Sequence, residues 1–281
     1  MSAFSLRLLA ALCLCSSVSL AWAGPKLTQA WQVEGLATPE SVLVHSLKEK
    51  TYVFVSLIDG DPSAMDNKGG IALIGLTGEA INKNWVTGLS APKGMAAKDN
   101  LLYVSDINDL VVIDIANAKV AARYPAAGSE FLNDVAVNKA GEVFVSDTRT
   151  KKIYQLKNDK LDVFLENVDN ANGLAFIESG MLVGAGKELQ LVDNDKKITL
   201  LATGFGENID GIEQVKAGEF VVSCWPGLIY YVDAKGQLTQ LIDSRADQIN
   251  TADIGYDPAG KLVLVPNFFK NTVTAYQLIN Y

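Results

Sequence analysis

Asn133-Asp134-Val135-Ala136-Val137, Asn172-Gly173-Leu174-Ala175-Phe176 and Asp210-Gly211-Ile212-Glu213-Gln214 follow one grammar: a polar residue, a small or acidic one, then a stretch suited to a strand. Glu40-Ser41-Val42-Leu43-Val44, Lys93-Gly94-Met95-Ala96-Ala97 and Ala252-Asp253-Ile254-Gly255-Tyr256 align with them. The leading residues are Glu40, Lys93, Asn133, Asn172, Asp210 and Ala252, at intervals of 53, 40, 39, 38 and 42. A repeat of about 40 residues with several short strands per copy predicts an all-β fold, a six-bladed β-propeller. Equivalent positions of every blade then face one axis, so residues scattered along the chain are predicted to meet.

The rest of each copy supports this reading. Period-2 alternation of Val, Ile, Tyr and Phe dominates, and no window carries a helical stripe. In the third copy the pattern predicts strands over 134–138, 142–146, 151–156 and 160–165; in the fifth, over 212–216, 219–223, 228–232 and 237–242. Turns such as Lys216-Ala217-Gly218 and Asp257-Pro258-Ala259-Gly260 carry the Gly that hairpins favour. After a strand at 271–278 the sixth copy has too few residues for a fourth, whereas 27–34 is a lone strand ahead of the first copy. The N-terminal strand is therefore expected to complete the last blade and close the ring. The first copy carries a long insertion, Asp59 to Gly69, between its second and third strands. Its acids lack the spacing and the bidentate Glu of an EF-hand loop, so a solvated hairpin loop on the same face as the ring is expected.

Residues 1–23 read as a cleavable export signal: Arg7, an apolar run from Leu8 to Leu14, and the small-x-small site Ala21-Trp22-Ala23. Cleavage after Ala23 predicts a single domain over 24–281, working in the periplasm or secreted. Of three cysteines only Cys224 follows that site, so no intrachain disulfide is expected. The net charge is −8, becoming −9 without Arg7, and no Lys/Arg cluster interrupts it. Nucleic acid and anionic membrane are thus poor candidate partners. No stretch after the signal reaches 18 apolar residues, so no membrane span is expected.

The ring itself holds Glu40, Lys93, Asn133, Asn172, Asp210 and Ala252. Two carboxylates and two amides converging from four blades form a hard-oxygen set suited to a divalent cation with open positions for water. Such a cation would polarise a carbonyl, and a carboxylate of the set would serve as base. The bland alternative is that Asn-Gly and Asp-Gly are turn dipeptides and that polar channel mouths bind only water. Lys93 is an unusual central cation, suited to orient an anionic substrate, to pair with Asp106 or Glu40, or to take the metal's electrostatic place; Asp106, which ends a second strand, is a further candidate substrate contact. Asp147, Trp225 and Asn267 end second strands as Asp106 does, positions that either line the pocket entrance or serve strand-terminal turns. His45, the one histidine, sits on a strand; a Ser-His-Asp triad would have to be built on it, with no Gly-x-Ser-x-Gly elbow present, and a His-rich zinc site is excluded by count. Cys224 has no partner that would activate it.

Pro39-Glu40-Ser41-Val42-Leu43, Leu132-Asn133-Asp134, Ala171-Asn172-Gly173-Leu174 and Ile209-Asp210-Gly211-Ile212 resemble, in order, the blade-start motifs of the gluconolactonase / senescence marker protein / luciferin-regenerating enzyme family. The resemblance spans essentially the whole of 24–281. It implies one divalent metal, Ca²⁺ or Zn²⁺, on Glu40, Asn172 and Asp210. It also implies Asn133 beside substrate and Asp210 as the base in hydrolysis of a small lactone or ester. The chain departs from the family at Phe131, where an Arg commonly holds a sugar lactone, and at Lys93; both weigh against a sugar substrate. The alternative is a non-catalytic, NHL-like propeller that binds a small ligand at the mouth, or a protein partner through the same top face.

Overall fold

The computed structural model describes residues 24–281, and the expected signal segment, 1–23, lies outside the described residues. Six four-stranded antiparallel sheets succeed one another along the chain as the blades of a six-bladed propeller. Their innermost strands are Pro39–Leu47, Pro92–Lys98, Leu132–Val137, Ala171–Ile177, Ile209–Lys216 and Gly255–Asp257. The described residues contain no α-helix, only two one-turn 3₁₀ segments, Arg245–Asp247 and Phe268–Lys270. None of their helices is long and apolar enough to cross a membrane.

Burial follows the position of each strand within its blade. Middle strands, packed on both faces by neighbouring blades, read as unbroken apolar runs; Gly69–Ile74 and Leu228–Val232 are buried at every position. Outer strands such as Ala80–Leu89 are mostly exposed and correspondingly polar. The core is a series of apolar clusters between adjacent blades: Val42, Val55 and Ala72 of the first blade pack on Leu264 and Ala275 of the last.

The ring is closed at two radii. Lys26–Glu34 pairs antiparallel with Thr272–Ile279 along its length, so the N-terminal strand is the outer strand of the last blade, as expected. Near the axis, Asp253 N donates to Glu40 O (2.9 Å) and Val42 N to Asp253 O (3.2 Å), a short parallel bridge between last and first blades.

Every full-length inner strand contains the same irregularity. Glu40-Ser41, Lys93-Gly94, Asn133-Asp134, Asn172-Gly173 and Asp210-Gly211 each oppose a single residue on the next strand, which makes each motif a β-bulge. The opposing residues are Ser56, Ser105, Ser146, Gly184 and Ser223. A bulge withdraws a backbone N–H from the ladder, and in three of these blades a serine hydroxyl replaces the lost acceptor. Ser41 N donates to Ser56 Oγ (2.9 Å), Asp134 N to Ser146 Oγ (3.0 Å) and Gly211 N to Ser223 Oγ (2.8 Å). Ser223 Oγ then donates to Ala252 O of the next blade (2.8 Å), and Ser105 Oγ to Asn133 O of the next. One serine thus completes its own blade and ties it to its neighbour.

The bulges also bring adjacent inner strands into contact, which explains the small second residue of the motif. A Cβ on Gly173 would meet Asp210 O at 2.1 Å, and one on Gly94 would lie 2.5 Å from Asp134 Cα. These are backbone atoms of the next blade and cannot swing aside.

Two outcomes follow. Deleting residues 24–34 lowers the melting temperature of the whole domain by more than about 10 °C or leaves it insoluble, because the last blade loses its outer strand and Thr272–Ile279 becomes an unpaired edge. Gly173→Ala destabilises by roughly 1–3 kcal/mol in denaturant titration, since the added methyl overpacks against a fixed carbonyl.

Candidate functional site

The bulges turn the first motif residues toward one mouth of the central channel. Glu40, Lys93, Asn133, Asn172 and Asp210 line a single cavity of about 230 Å³ together with Ile58, Pro62, Phe131, Trp225, Phe268 and Phe269. Five of the six ring positions therefore meet as expected. The sixth, Ala252, is buried behind the cavity against Ile58, Ile107, Phe268 and Trp225.

Asp106 is not brought to this mouth. Its carboxylate accepts Ser90 N (3.0 Å) and Ala91 N (2.8 Å) and binds Arg123 Nη1 (3.2 Å), fastening the segment that enters the second blade. Its side chain is committed to backbone amides, and it lines no part of the cavity. Asp147 does the same in the third blade, accepting Glu130 N, Arg149 N and Thr150 N. Asn267 is likewise internal, donating to Thr272 Oγ1 and Thr274 Oγ1. His45 is half-buried with Nε2 2.9 Å from Asp99 O. Cys224 is fully buried, and its thiol is pushed up to about 12, chiefly by burial, which keeps it an unreactive thiol.

Trp225 lines the cavity as the sequence suggests, whereas Ile58, Phe268 and Phe269 of its wall carry no signal in that reading. The residue following each second strand forms another ring: Ile58, Ile107, Thr148, Gly186, Trp225 and Phe268. Its apolar members stand over the sixth, first, second and fifth blades. Thr148, over the third, accepts Asn133 Nδ2 (3.0 Å) and donates to Ala171 O (2.7 Å), fixing the Asn133 amide. The repeat that located the first ring contained this signal one strand further on. The long loop of the first blade contributes Pro62 to the wall and reaches the third blade, where Arg149 Nη2 donates to Ser63 Oγ (3.1 Å).

Electrostatically the mouth is unbalanced. Glu40 and Asp210 are 6% and 3% exposed, and Asp253 lies beneath them at 9%. Burial, then the charges of Asp210 and Asp253, hold Glu40 well above the usual carboxylate range, with Lys93 opposing weakly. Burial and Asp253 push Asp210 up to about 8 against a hydrogen bond from Asn172 Nδ2 (2.9 Å). Burial likewise pushes Asp253 up to about 7, although Ser41 Oγ donates to it at 2.5 Å. Lys93 is 1% exposed; burial pushes it down to about 8, resisted by the Glu40 and Asp106 carboxylates. Its Nζ donates to Ala91 O (2.9 Å) and lies 4.4 Å from the centre of the Phe131 ring. No ion pair among the described residues involves it.

The donor set fits a hard divalent cation. Glu40 Oε2 is buried without a hydrogen-bond partner, an orphan that a cation would satisfy. Asn172 uses its NH₂ on Asp210, leaving its amide oxygen available. Among the described residues no three His, Cys, Asp or Glu side chains cluster as a metal site, so the set is two carboxylates plus amides rather than an acidic cage.

No family model matches the chain, and no curated protein matches it. Solved structures do match its fold. A catalytically inactive virginiamycin B lyase from Staphylococcus aureus with quinupristin shares 12% identity at a TM-score of 0.62, covering 91% of this chain and all of that one. A streptogramin B lyase structure shares 11% at 0.65, covering 93% and 100%. A structural genomics protein of unknown function from Bacteroides thetaiotaomicron shares 10% at 0.66, covering 91% and 76%. At such identities the likeness establishes the propeller and nothing about its chemistry.

The buried acids give the metal-free protein a defined pH response. Asp210 and Asp253 bind protons in the folded state at pH values where the unfolded chain has released them. Their stabilisation is complete below about pH 4, falls as pH rises above the unfolded-state value, and is gone once pH passes the folded-state values of about 7 and 8. Lys93, with its pKa lowered, changes stability only above about pH 8. In chelator, the melting temperature is expected to fall by several degrees between pH 5 and pH 8, and Asp210→Asn to flatten that slope. A flat wild-type profile contradicts the placement of these acids.

Proposed function

We propose that this is an exported hydrolase of a small lactone or ester, acting at the channel mouth with one divalent cation, Ca²⁺ or Zn²⁺. Glu40, Asn172 and Asp210 would hold the cation, as in the gluconolactonase-like family whose blade-start motifs the chain resembles. One observation carries the reading. Two buried carboxylates, one with an orphaned oxygen, share an otherwise apolar cavity with two side-chain amides, and a single ammonium leaves them short of neutralising charge. A bound cation would supply electrophilic activation of the substrate carbonyl and favour the ionised form of Asp210.

The chain's own groups divide the remaining work. Asn133, fixed by Thr148, offers its amide oxygen to orient substrate or a water. Asp210, as carboxylate, takes a proton from the attacking water while the water oxygen bonds to the acyl carbon. As the acyl carbon–oxygen bond breaks, that proton passes to the departing oxygen, giving a carboxylic acid and an alcohol, joined in one molecule if the substrate is a lactone. Lys93, with two N–H groups beyond its bond to Ala91 O, is placed to hold negative charge developing on the carbonyl oxygen. Phe131 and Pro62 help to exclude bulk water.

A second reading, a non-catalytic ligand-binding propeller, is favoured by Lys93 itself. A fully buried ammonium at a ring position repels a dication and can satisfy an anionic ligand without one.

Metal analysis separates the two. The hydrolase reading expects about one equivalent of Ca or Zn in the purified protein, lost in Asp210→Ala. It further expects turnover of a lactone or aryl ester that falls at least about 100-fold in Asp210→Asn. A wild type that stays metal-free after incubation with either cation, and turns over neither substrate class, leaves the binding reading.

A further inference from the structure

The floor and the wall of the cavity are built from opposite chemistries. All of its ionisable and amide side chains, Glu40, Lys93, Asn133, Asn172 and Asp210, come from the inner-strand bulges. The wall above them offers Ile58, Pro62, Phe131, Trp225, Phe268 and Phe269, with no hydroxyl, amide or charged side chain among them. Trp225 meets Phe268 edge-to-face at 4.6 Å, Phe268 meets Phe269 at 4.8 Å, and Trp225 meets Phe269 at 6.1 Å. Phe269 is nevertheless 67% exposed, an aromatic ring held in water at the rim of a cavity. On the opposite side Phe131 lies against both Lys93 Nζ (4.4 Å) and the Arg149 guanidinium (4.6 Å), so its position is set before any ligand arrives.

We propose that the mouth selects a ligand with two unlike ends. A carbonyl or carboxylate head sits on the Lys93 and Asn133 side of the floor, and an aromatic or branched-alkyl body lies against Trp225, Phe268 and Phe269. A cavity of about 230 Å³ holds roughly seven or eight waters' worth of volume, room for a ligand the size of a benzo-fused lactone or an arylacetate. A polyhydroxylated ligand of that size brings a hydroxyl on nearly every carbon, and against this wall those hydroxyls lose water and gain no partner. An aromatic body instead gains edge-to-face contact with a trio already in that geometry. The substrate class, an aryl or branched-alkyl lactone or ester rather than a sugar lactone, rests on the hydrolase reading; the preference in binding does not.

The test uses the chain from residue 24 to 281, with and without added Ca²⁺ or Zn²⁺, at pH 7. Calorimetry compares phenylacetate with gluconate, two carboxylates that are not hydrolysed, and activity assays compare dihydrocoumarin with D-glucono-1,5-lactone. Phenylacetate is expected to bind at least tenfold more tightly than gluconate, with quenching of tryptophan emission that is lost in Trp225→Leu. Phe269→Ser, exposed and so neutral to the melting temperature, is expected to weaken phenylacetate three- to tenfold. Leu200→Ser, on the outer strand of the fourth blade, leaves binding unchanged. Equal or tighter binding of gluconate, no binding of either carboxylate, or wild-type affinity in both wall variants overturns the inference. Preferred turnover of the sugar lactone overturns it while leaving the hydrolase reading intact. Selective phenylacetate binding without turnover of either lactone or of phenyl acetate, an aryl ester, upholds the inference and removes the hydrolase reading.

Discussion

The structure depends on one repeated backbone device, the bulge at the start of each inner strand and the hydroxyl that repairs it. A propeller needs its innermost strands close enough to enclose a channel, yet a regular strand would alternate its side chains and aim only every second one at the axis. Opposing two residues to one breaks that alternation and leaves an unpaired N–H in a buried place. Ser56, Ser146 and Ser223 accept those N–H groups, and Ser105 and Ser223 reach on to the next blade. Backbone satisfaction, the packing of blade on blade and the aim of the first motif residue are therefore consequences of a single feature.

The same device explains why the mouth is electrostatically strained. Bulge residues are buried by their neighbours, so an acid placed there loses water without automatically gaining a counter-charge. Asp134 is offset in part by two backbone donors, Val135 N and Leu174 N, both at 2.6 Å, although burial and Asp253 still hold its carboxyl well above the usual range. Glu40 and Asp210 have no comparable provision, and Lys93 is turned toward a carbonyl and an aromatic face rather than toward them. Uncompensated buried acids at the open end of a channel are costly to folding, and sites that accept such a cost are where binding and catalysis concentrate. The matched solved structures share the scaffold at 10–12% identity, so the residues of this mouth must carry any functional argument on their own.

Legibility from the chain followed how local each determinant is. Turns, strand order and ring closure were readable because they depend on neighbouring residues and on counting: 228–232 was placed to the residue, and the N-terminal strand was assigned to the last blade. Inner strands were predicted to begin two or three residues late, at 134 and 212 rather than Leu132 and Ile209. A bulge interrupts the alternation by which a strand is recognised. Asp106 was misplaced for a related reason. An acid at a strand end reads equally well as a pocket residue or as an acceptor for loop amides, and only the path of Ser90 and Ala91 decides between them.

The fold, the blade count, the closure and the five polar residues that share the mouth are legible in the chain, because a fixed period converts spacing into position. What surrounds them depends on how the blades and their connections pack in space. Trp225 and Phe268 recur at one position of the repeat, but Phe131, Phe269 and the Pro62 segment, which crosses to Arg149 of the third blade, lie in connections between strands, contacts that no period encodes. Nor could spacing show that Glu40 Oε2 lacks a partner while Asp134 has two, since satisfaction of a buried carboxylate depends on ångström-scale placement of amides from another blade.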